Sequence, residues 1–161
     1  MEIIAIIRDN RINQDREVYF PTTLASVRRL FGLAEDEELY YEIVDSNTNL
    51  IKANDDIKLI SAFAELVEGV DEDLVKAVHE VTGYNARDFV SSNFSFEDCS
   101  LLYDVTTKRD LGEYWIDAIG GIQNLPKEQQ AMYFDYEAYG RDIDIDAQGG
   151  FSSYGYVEIN L

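Results

Sequence analysis

Residues 55–90 read DDIKLISAFAELVEGVDEDLVKAVHEVTGYNARDFV. Asp55 or Asp56 can cap a run in which Ile57, Ile60, Ala64 and Val67 recur at helical spacing. Gly69 interrupts that run. Asp71 then starts a second helix, with Leu74, Val75 and Val78 on its inward side and Gly83 as its stop. Asn85 caps a third, shorter helix that reaches Val90. This block is helical throughout, and the stretches on either side of it are not.

Upstream, Glu2 to Ile7 reads as a strand and Glu17 to Phe20 as its partner. Pro21-Thr22-Thr23 starts a helix through Leu24, Val27, Arg28 and Phe31, and Gly32 is its C′ stop. Leu39 to Val44 is β-rich, with Tyr40, Tyr41, Ile43 and Val44. Downstream, Phe94 and Phe96 alternate as in a strand. Asp110 to Ile119 reads as a helix ended by Gly120-Gly121. Pro126 sits in the first turn of another helix, which carries Met132, Tyr133 and Phe134. Ile143 and Ile145 alternate with Asp142, Asp144 and Asp146, the pattern of a half-exposed strand with acids out and isoleucines in. Gln148-Gly149-Gly150 reads as a turn into a final strand, Tyr154 to Ile159. The expected fold class is α+β, in three segments: α+β over 1–54, helical over 55–92, and α+β over 93–161. No internal repeat or low-complexity stretch interrupts this order.

The composition allows such a fold. Of 161 residues, 46% are hydrophobic, with 11 Tyr and 8 Phe, so the chain is not a disordered acidic tail. Charge is the outlying property: 32 acids against 13 bases give a net charge of −19. A small domain needs a net charge of only about 2 to 8 for solubility, and excess like charge opposes compaction. The surplus is spread along the chain. It is −5 over residues 1–60, −7 over 61–110 and −7 over 111–161. Nucleic acid and anionic membrane surfaces are repelled by such a chain, and a basic protein partner is favoured. A solubility-tuned or salt-adapted surface is the plainer reading of the same numbers.

Sites with a chemical signature are scarce. Cys99 is the sole cysteine, so there is no intramolecular disulfide. The N-terminal residues lack the basic and apolar regions of a signal peptide, and no apolar run of about 20 residues occurs, so the expected location is the cytoplasm. Asp142 to Asp146 begins like a calcium loop, but Ala147 stands where glycine is needed and Ser153 where the bidentate Glu is needed. His79 is the single histidine, and Glu80 follows it without a second histidine four residues on, so the zinc-protease pattern fails. Gly150-Phe151-Ser152-Ser153-Tyr154-Gly155 lacks the spacing of a nucleophile elbow. No catalytic residue, metal site or cofactor is expected.

What remains is the acid distribution. Glu35-Asp36-Glu37-Glu38 and Asp71-Glu72-Asp73 are runs, and Asp104, Asp110, Glu113 and Asp117 form a spaced set that partly follows helical periodicity. With Asp55, Asp56, Glu65, Glu68 and Glu80, these are the candidate phosphate-mimicking acids. Each cluster singly also reads as a solvated helix face.

Leu125-Pro126, followed by Tyr133-Phe134-Asp135-Tyr136-Glu137-Ala138-Tyr139-Gly140-Arg141-Asp142, resembles the ArdA antirestriction family. In that family a similar Leu/Val-Pro step leads into a Tyr-Ile/Phe-Asp-Tyr-x-x-Tyr-Gly-Arg-Asp run. Asp110-Leu111-Gly112-Glu113-Tyr114 and the terminal aromatic hairpin also fit. Tyr19-Phe20-Pro21, Val27 and Phe31-Gly32-Leu33 fit more loosely. The family's usual opening is replaced here by Ile6-Ile7-Arg8-Asp9-Asn10-Arg11.

The resemblance implies an elongated chain of three small subdomains, dimeric through the C-terminal one. It implies a mimic of DNA that occupies the DNA-binding site of type I restriction–modification enzymes at their methyltransferase core, made by conjugative elements or phages to evade host defence. Leu125, Pro126, Met132, Tyr133, Phe134, Tyr136 and Tyr139 then belong to the dimer interface and antirestriction motif. Duplex DNA carries one charge per roughly 1.7 Å, so the net charge of two chains corresponds to about 65 Å of duplex. Three alternatives stay open: a mimic aimed at an RNA-guided nuclease, repressor or nucleoid protein; an acidic metal-dependent hydrolase; and a plain acidic adaptor.

Overall fold

The computed structural model describes residues 1–130 and 135–159. Among these, an α+β arrangement is present, with two three-stranded antiparallel sheets and seven α-helices. The chain divides into two compact units. One comprises Met1–Val75 and Tyr84–Phe96, the other Lys76–Gly83 and Glu97–Leu161. No helix among the described residues is long and apolar enough to cross a membrane.

In the first unit, strand β1 (Ile3–Asp9) lies between β2 (Gln14–Phe20) and β3 (Tyr41–Ser46). The two-residue side-chain period sets its faces. Ile3, Ala5, Ile7 and Asp9 are buried, and Ile4, Ile6 and Arg8 face outward. The register places Arg8 opposite Asp15 on one side and Glu42 on the other. Its guanidinium reaches them at 2.7 and 3.8 Å.

Helix α1 (Leu24–Leu30) begins at Thr23, whose hydroxyl accepts from the Ser26 N–H, and α2 (Ile57–Leu66) begins at Asp56, which accepts from the Leu59 N–H. Asn85 and Asp88 form a reciprocal capping box on α4 (Ala86–Ser91). The glycines expected as helix stops, Gly32, Gly69 and Gly83, all take positive φ.

Phe94 and Phe96 do not form a strand. Phe94 lies in a loop, and Phe96 opens a short 3₁₀ turn, Phe96–Asp98. Both are buried against Phe89, with ring centroids 5.2 Å away in each case. Phe89 also stacks on Phe63, and Tyr84 meets it edge-on. A two-residue alternation carries too little periodicity to separate a strand from two turns of loop that bury their rings on one side.

Helix α3 (Glu72–Thr82) contributes residues to each unit. In the second unit, β4 (Cys99–Leu102) and β5 (Gly149–Ser152) flank β6 (Gly155–Ile159). Leu111 and Tyr156 are fully buried with Val105, and Leu102, Trp115, Ile143 and Phe151 pack around them. Helix α5 (Lys108–Ala118) starts in a Thr107–Asp110 capping box. A short helix α6 (Lys127–Gln130) follows Pro126, as expected, and the expected continuation through Met132, Tyr133 and Phe134 lies outside the described residues.

Two expectations for this unit are corrected. The Asp142-to-Asp146 alternation is not a strand but the end of helix α7 (Tyr136–Asp146), capped by the Asp135 carboxylate on the Glu137 and Ala138 N–H groups. Tertiary packing overrides the β-like pattern: Ile143 turns toward the core cluster, while Ile145 is left 71% exposed. Gly149-Gly150 is not the turn but part of β5, paired with Glu158 and Val157. The turn sits four residues later, at Ser153-Tyr154. The Glu80 carboxylate holds it there by accepting from the Ser153 N–H (2.8 Å) and hydroxyl (2.7 Å).

The α5–α7 contact depends on two glycines. A Cβ on Gly140 would overlap the carbonyl oxygen of Lys108 and come within 2.9 Å of the Gly112 nitrogen. A Cβ on Gly112 would overlap the carbonyl oxygen of Tyr136. The two backbones approach as closely as they do because neither position carries a side chain.

Candidate functional site

Of the 32 acids, 24 are exposed and only Asp9 and Asp55 are buried. The folded chain therefore displays its surplus charge instead of neutralising it inside. With 13 bases present, internal pairing cannot remove more than a minority of the acids.

The helices and turns explain this exposure. Glu35, Asp36, Glu37 and Glu38 occupy the turn between α1 and β3, and all four are exposed. The chain holds them there locally. Glu37 accepts from the Ala34 N–H at 2.8 Å, and Glu38 accepts from the Tyr40 hydroxyl at 2.6 Å. Asp56, Glu65 and Glu68 are exposed at the start and end of α2. Asp71 and Glu72 are exposed at the start of α3, where negative charge meets the positive end of the helix dipole; Asp73 is half-buried. Asp104 and Asp117 are exposed, while Asp110 and Glu113 are half-buried on α5.

Beyond Asp56, the cap of α2, other candidate acids also have structural duties. Asp55 is 4% exposed, so it does not offer an external charge. It accepts from the Lys52 N–H at 2.8 Å and pairs with Arg87 at 2.9 Å. Asp110 closes the α5 capping box. The Thr107 hydroxyl and then the Thr106 N–H hold its carboxyl below the ordinary carboxylate range. Glu80 is exposed but fixed by Ser153, whose backbone N–H foremost lowers its pKa.

Sequence reasoning missed Asp9 and the charged face of the first sheet. Asp9 is fully buried at the end of β1, paired with Arg11 at 3.1 Å, and that side-chain hydrogen bond is the main cause of its lowered pKa. Asp15, Glu17, Glu42 and Asp45 are exposed on the two edge strands. The alternation in residues 14–20 was the available signal for β2, but its outer half carries no buried residue to mark the face.

Of the expected motif residues, Leu125 is buried, Pro126 is exposed, and Tyr136 and Tyr139 are half-buried. Met132, Tyr133 and Phe134 lie outside the described residues. Cys99 is a buried thiol whose pKa burial raises to about 11, and His79 lies half-buried on α3. Among the described residues, no three His, Cys, Asp or Glu side chains are grouped to hold a metal ion. The arrangement can attract an extended basic surface by charge.

Such a surface repels itself. The Debye length falls from about 30 Å at 0.01 M salt to about 10 Å at 0.1 M. The melting temperature is expected to rise by about 2–4 °C over that range, equivalent to roughly 1 kcal/mol for a chain of this size. Calorimetry at fixed pH measures it. A flat or falling midpoint would mean that the acids are locally compensated.

The family model described as antirestriction protein (ArdA) matches residues 14–158. The comparison with curated proteins finds no match.

Proposed function

Because the chain belongs to the ArdA family of antirestriction proteins, we propose that it inhibits type I restriction–modification enzymes by occupying their DNA-binding site as a decoy. The exposure of 24 of 32 acids carries this reading. A DNA channel is lined with lysines and arginines that neutralise phosphates, and exposed carboxylates at comparable density satisfy the same cations.

The protein acts by binding, without catalysis or cofactor, in the cytoplasm of a cell whose restriction system it disarms. It engages no nucleic acid itself, since like charges repel. Two copies associate through the C-terminal segment, 93–161, with Leu125, Pro126, Tyr136 and Tyr139 among the contributing residues together with Met132, Tyr133 and Phe134. The segments 1–54 and 55–92 extend the acidic surface. A mobile element that carries the gene gains passage past host defence.

The reading is tested by expressing the protein in a host with a type I system and plating unmodified phage. Plating should rise toward that on a restriction-free host. Unchanged plating, with the protein present and folded, would exclude antirestriction activity against that system.

A further inference from the structure

Residues 18–34 are the longest stretch of the chain without an aspartate or glutamate, and they carry two arginines, Arg28 and Arg29. Helix α1 lies within that stretch, with both arginines in its last turn. Ala25, Arg28 and Arg29, spaced three and four residues apart on α1, line a cleft of about 260 Å³ together with Leu33, Ala34 and Glu35. The lining holds two bases and one acid, against 13 and 32 in the whole chain. Arg28 stands apart from the other arginines. Its side chain is half-buried, its Nε is sealed from solvent, and that nitrogen has no hydrogen-bond acceptor. Arg8, Arg11, Arg87, Arg109 and Arg141 each pair with a carboxylate. Arg29 donates to the Ser26 hydroxyl at 3.2 Å, and Arg16 lies over the Phe31 ring. Among the described residues Arg28 makes no ion pair, not even with Glu35 of the same cleft. A buried charged donor without an acceptor costs folding free energy, and proteins retain few of them.

We propose that this cleft receives one carboxylate side chain, an aspartate or glutamate, of the basic partner protein. The inference rests on the proposed function for the identity of the partner, and on the cleft alone for the chemistry. A guanidinium offers a planar fork of donors that matches a carboxylate. One carboxylate brings the lining, with two positive charges and one negative, to neutrality. Ala25, Leu33 and Ala34 add apolar surface around the contact, and a drier contact is a stronger one. A free anion is poorly suited, because a chain of net charge −19 repels it at long range. A carboxylate set in an otherwise basic protein is carried in by the attraction between the two surfaces. The occupant is therefore a protein group and not a nucleic-acid phosphate. A duplex cannot make this contact, since its phosphates repel the same carboxylate. At this point the inhibitor binds better than the DNA it replaces, and a contact of opposite sign fixes its register on the partner. Leu24 and Leu30, 39% and 51% exposed, add apolar surface on the same helix.

The sign of one substitution tests the proposal. Removing a base makes the protein more negative, and diffuse attraction to a basic partner then tightens. Arg28→Gln should instead weaken binding to a purified type I methyltransferase about tenfold. Lys58→Gln, which removes the same charge from an exposed site on α2, should tighten binding or change it by about twofold or less. Arg28→Lys, which keeps the charge and loses the fork, should fall between. Circular dichroism confirms that each variant is folded. A second readout needs no enzyme. In the isotope-labelled full-length protein, the Arg28 Nε–H resonance is identified by its loss in Arg28→Lys. It is then followed as the blocked tripeptides acetyl-Lys-Glu-Lys-amide and acetyl-Lys-Gln-Lys-amide are added to the wild-type protein. The glutamate peptide should move the resonance saturably. The glutamine peptide, more positive but without the carboxylate, should leave it nearly in place. Equal movement by the two peptides, or movement by a short DNA duplex and none by the glutamate peptide, would overturn the proposal. So would an Arg28→Gln protein that binds the enzyme as Lys58→Gln does. If the wild-type protein fails to bind the enzyme at all, the functional reading falls and the peptide comparison alone decides the cleft.

Discussion

Replacing Gly140 by alanine is expected to unfold or severely loosen the second unit, with a loss of about 3 kcal/mol or more. The added Cβ would overlap the Lys108 carbonyl, which is backbone and cannot rotate away. Helices α5 and α7 would have to separate. Ile143 and Trp115 would then leave the cluster around Leu111 and Tyr156. Gly112→Ala should act similarly through the Tyr136 carbonyl. The double substitution should cost less than the sum of the two, since both relieve the same contact by the same movement. Urea unfolding followed by Trp115 fluorescence reads the effect, because Trp115 sits in the affected interface. A wild-type midpoint in Gly140→Ala would show that the helices do not meet as described. Function follows the fold: Glu113, Asp117, Asp142 and Asp146 are displayed by these two helices and lose their spacing when the pair opens.

The helical middle of the chain was legible because several independent signals agreed there. Apolar periodicity, the caps at Asp56 and Asn85 and the stops at Gly69 and Gly83 all point the same way, and each appears in the structure. The second unit was less legible. Asp142-Ile143-Asp144-Ile145-Asp146 is too short for its period to decide, and what decides it is the Gly112–Gly140 contact, which joins residues far apart in sequence. The hairpin turn moved from Gly149-Gly150 to Ser153-Tyr154 for a similar reason. The carboxylate that fixes it, Glu80, lies 73 residues away. The acid surface was legible in total, since −19 cannot be buried, but not acid by acid. Nothing local marks Asp55 as the buried partner of Arg87 and Asp56 as the exposed cap beside it. The family resemblance rested on the run that contains Gly140 and on the segment that contains Gly112, and the structure supplies a physical reason for glycine at both.

Neutralising acids in groups is expected to weaken binding far more than neutralising them singly. One exposed carboxylate, such as Glu72 or Asp117, contributes about 1 kcal/mol or less to a screened, water-exposed contact. Replacing Glu35, Asp36, Glu37 and Glu38 together by their amides should weaken inhibition by roughly 10- to 100-fold at low salt, since four such terms add when the sites remain exposed. The loss should shrink as salt rises, because screening removes the same attraction. The fold should be spared, as all four side chains are exposed and only Glu37 touches the backbone. Asp55→Asn is the contrasting case. It should damage stability before binding, because it leaves Arg87 without its buried partner. If one exposed point substitution abolished inhibition while the fold stayed intact, the distributed surface would give way to a discrete site.

The central claim is that the protein takes the place of DNA. A purified type I methyltransferase holding a labelled duplex is titrated with the protein at several salt concentrations, and the fraction of duplex released is followed by fluorescence anisotropy. The account predicts complete, competitive release, an apparent affinity that rises in proportion as the competing duplex is diluted, and a steep decline with salt of the kind shown by polyanions. Binding that leaves the duplex in place, as a stable complex of enzyme, DNA and protein, would contradict it.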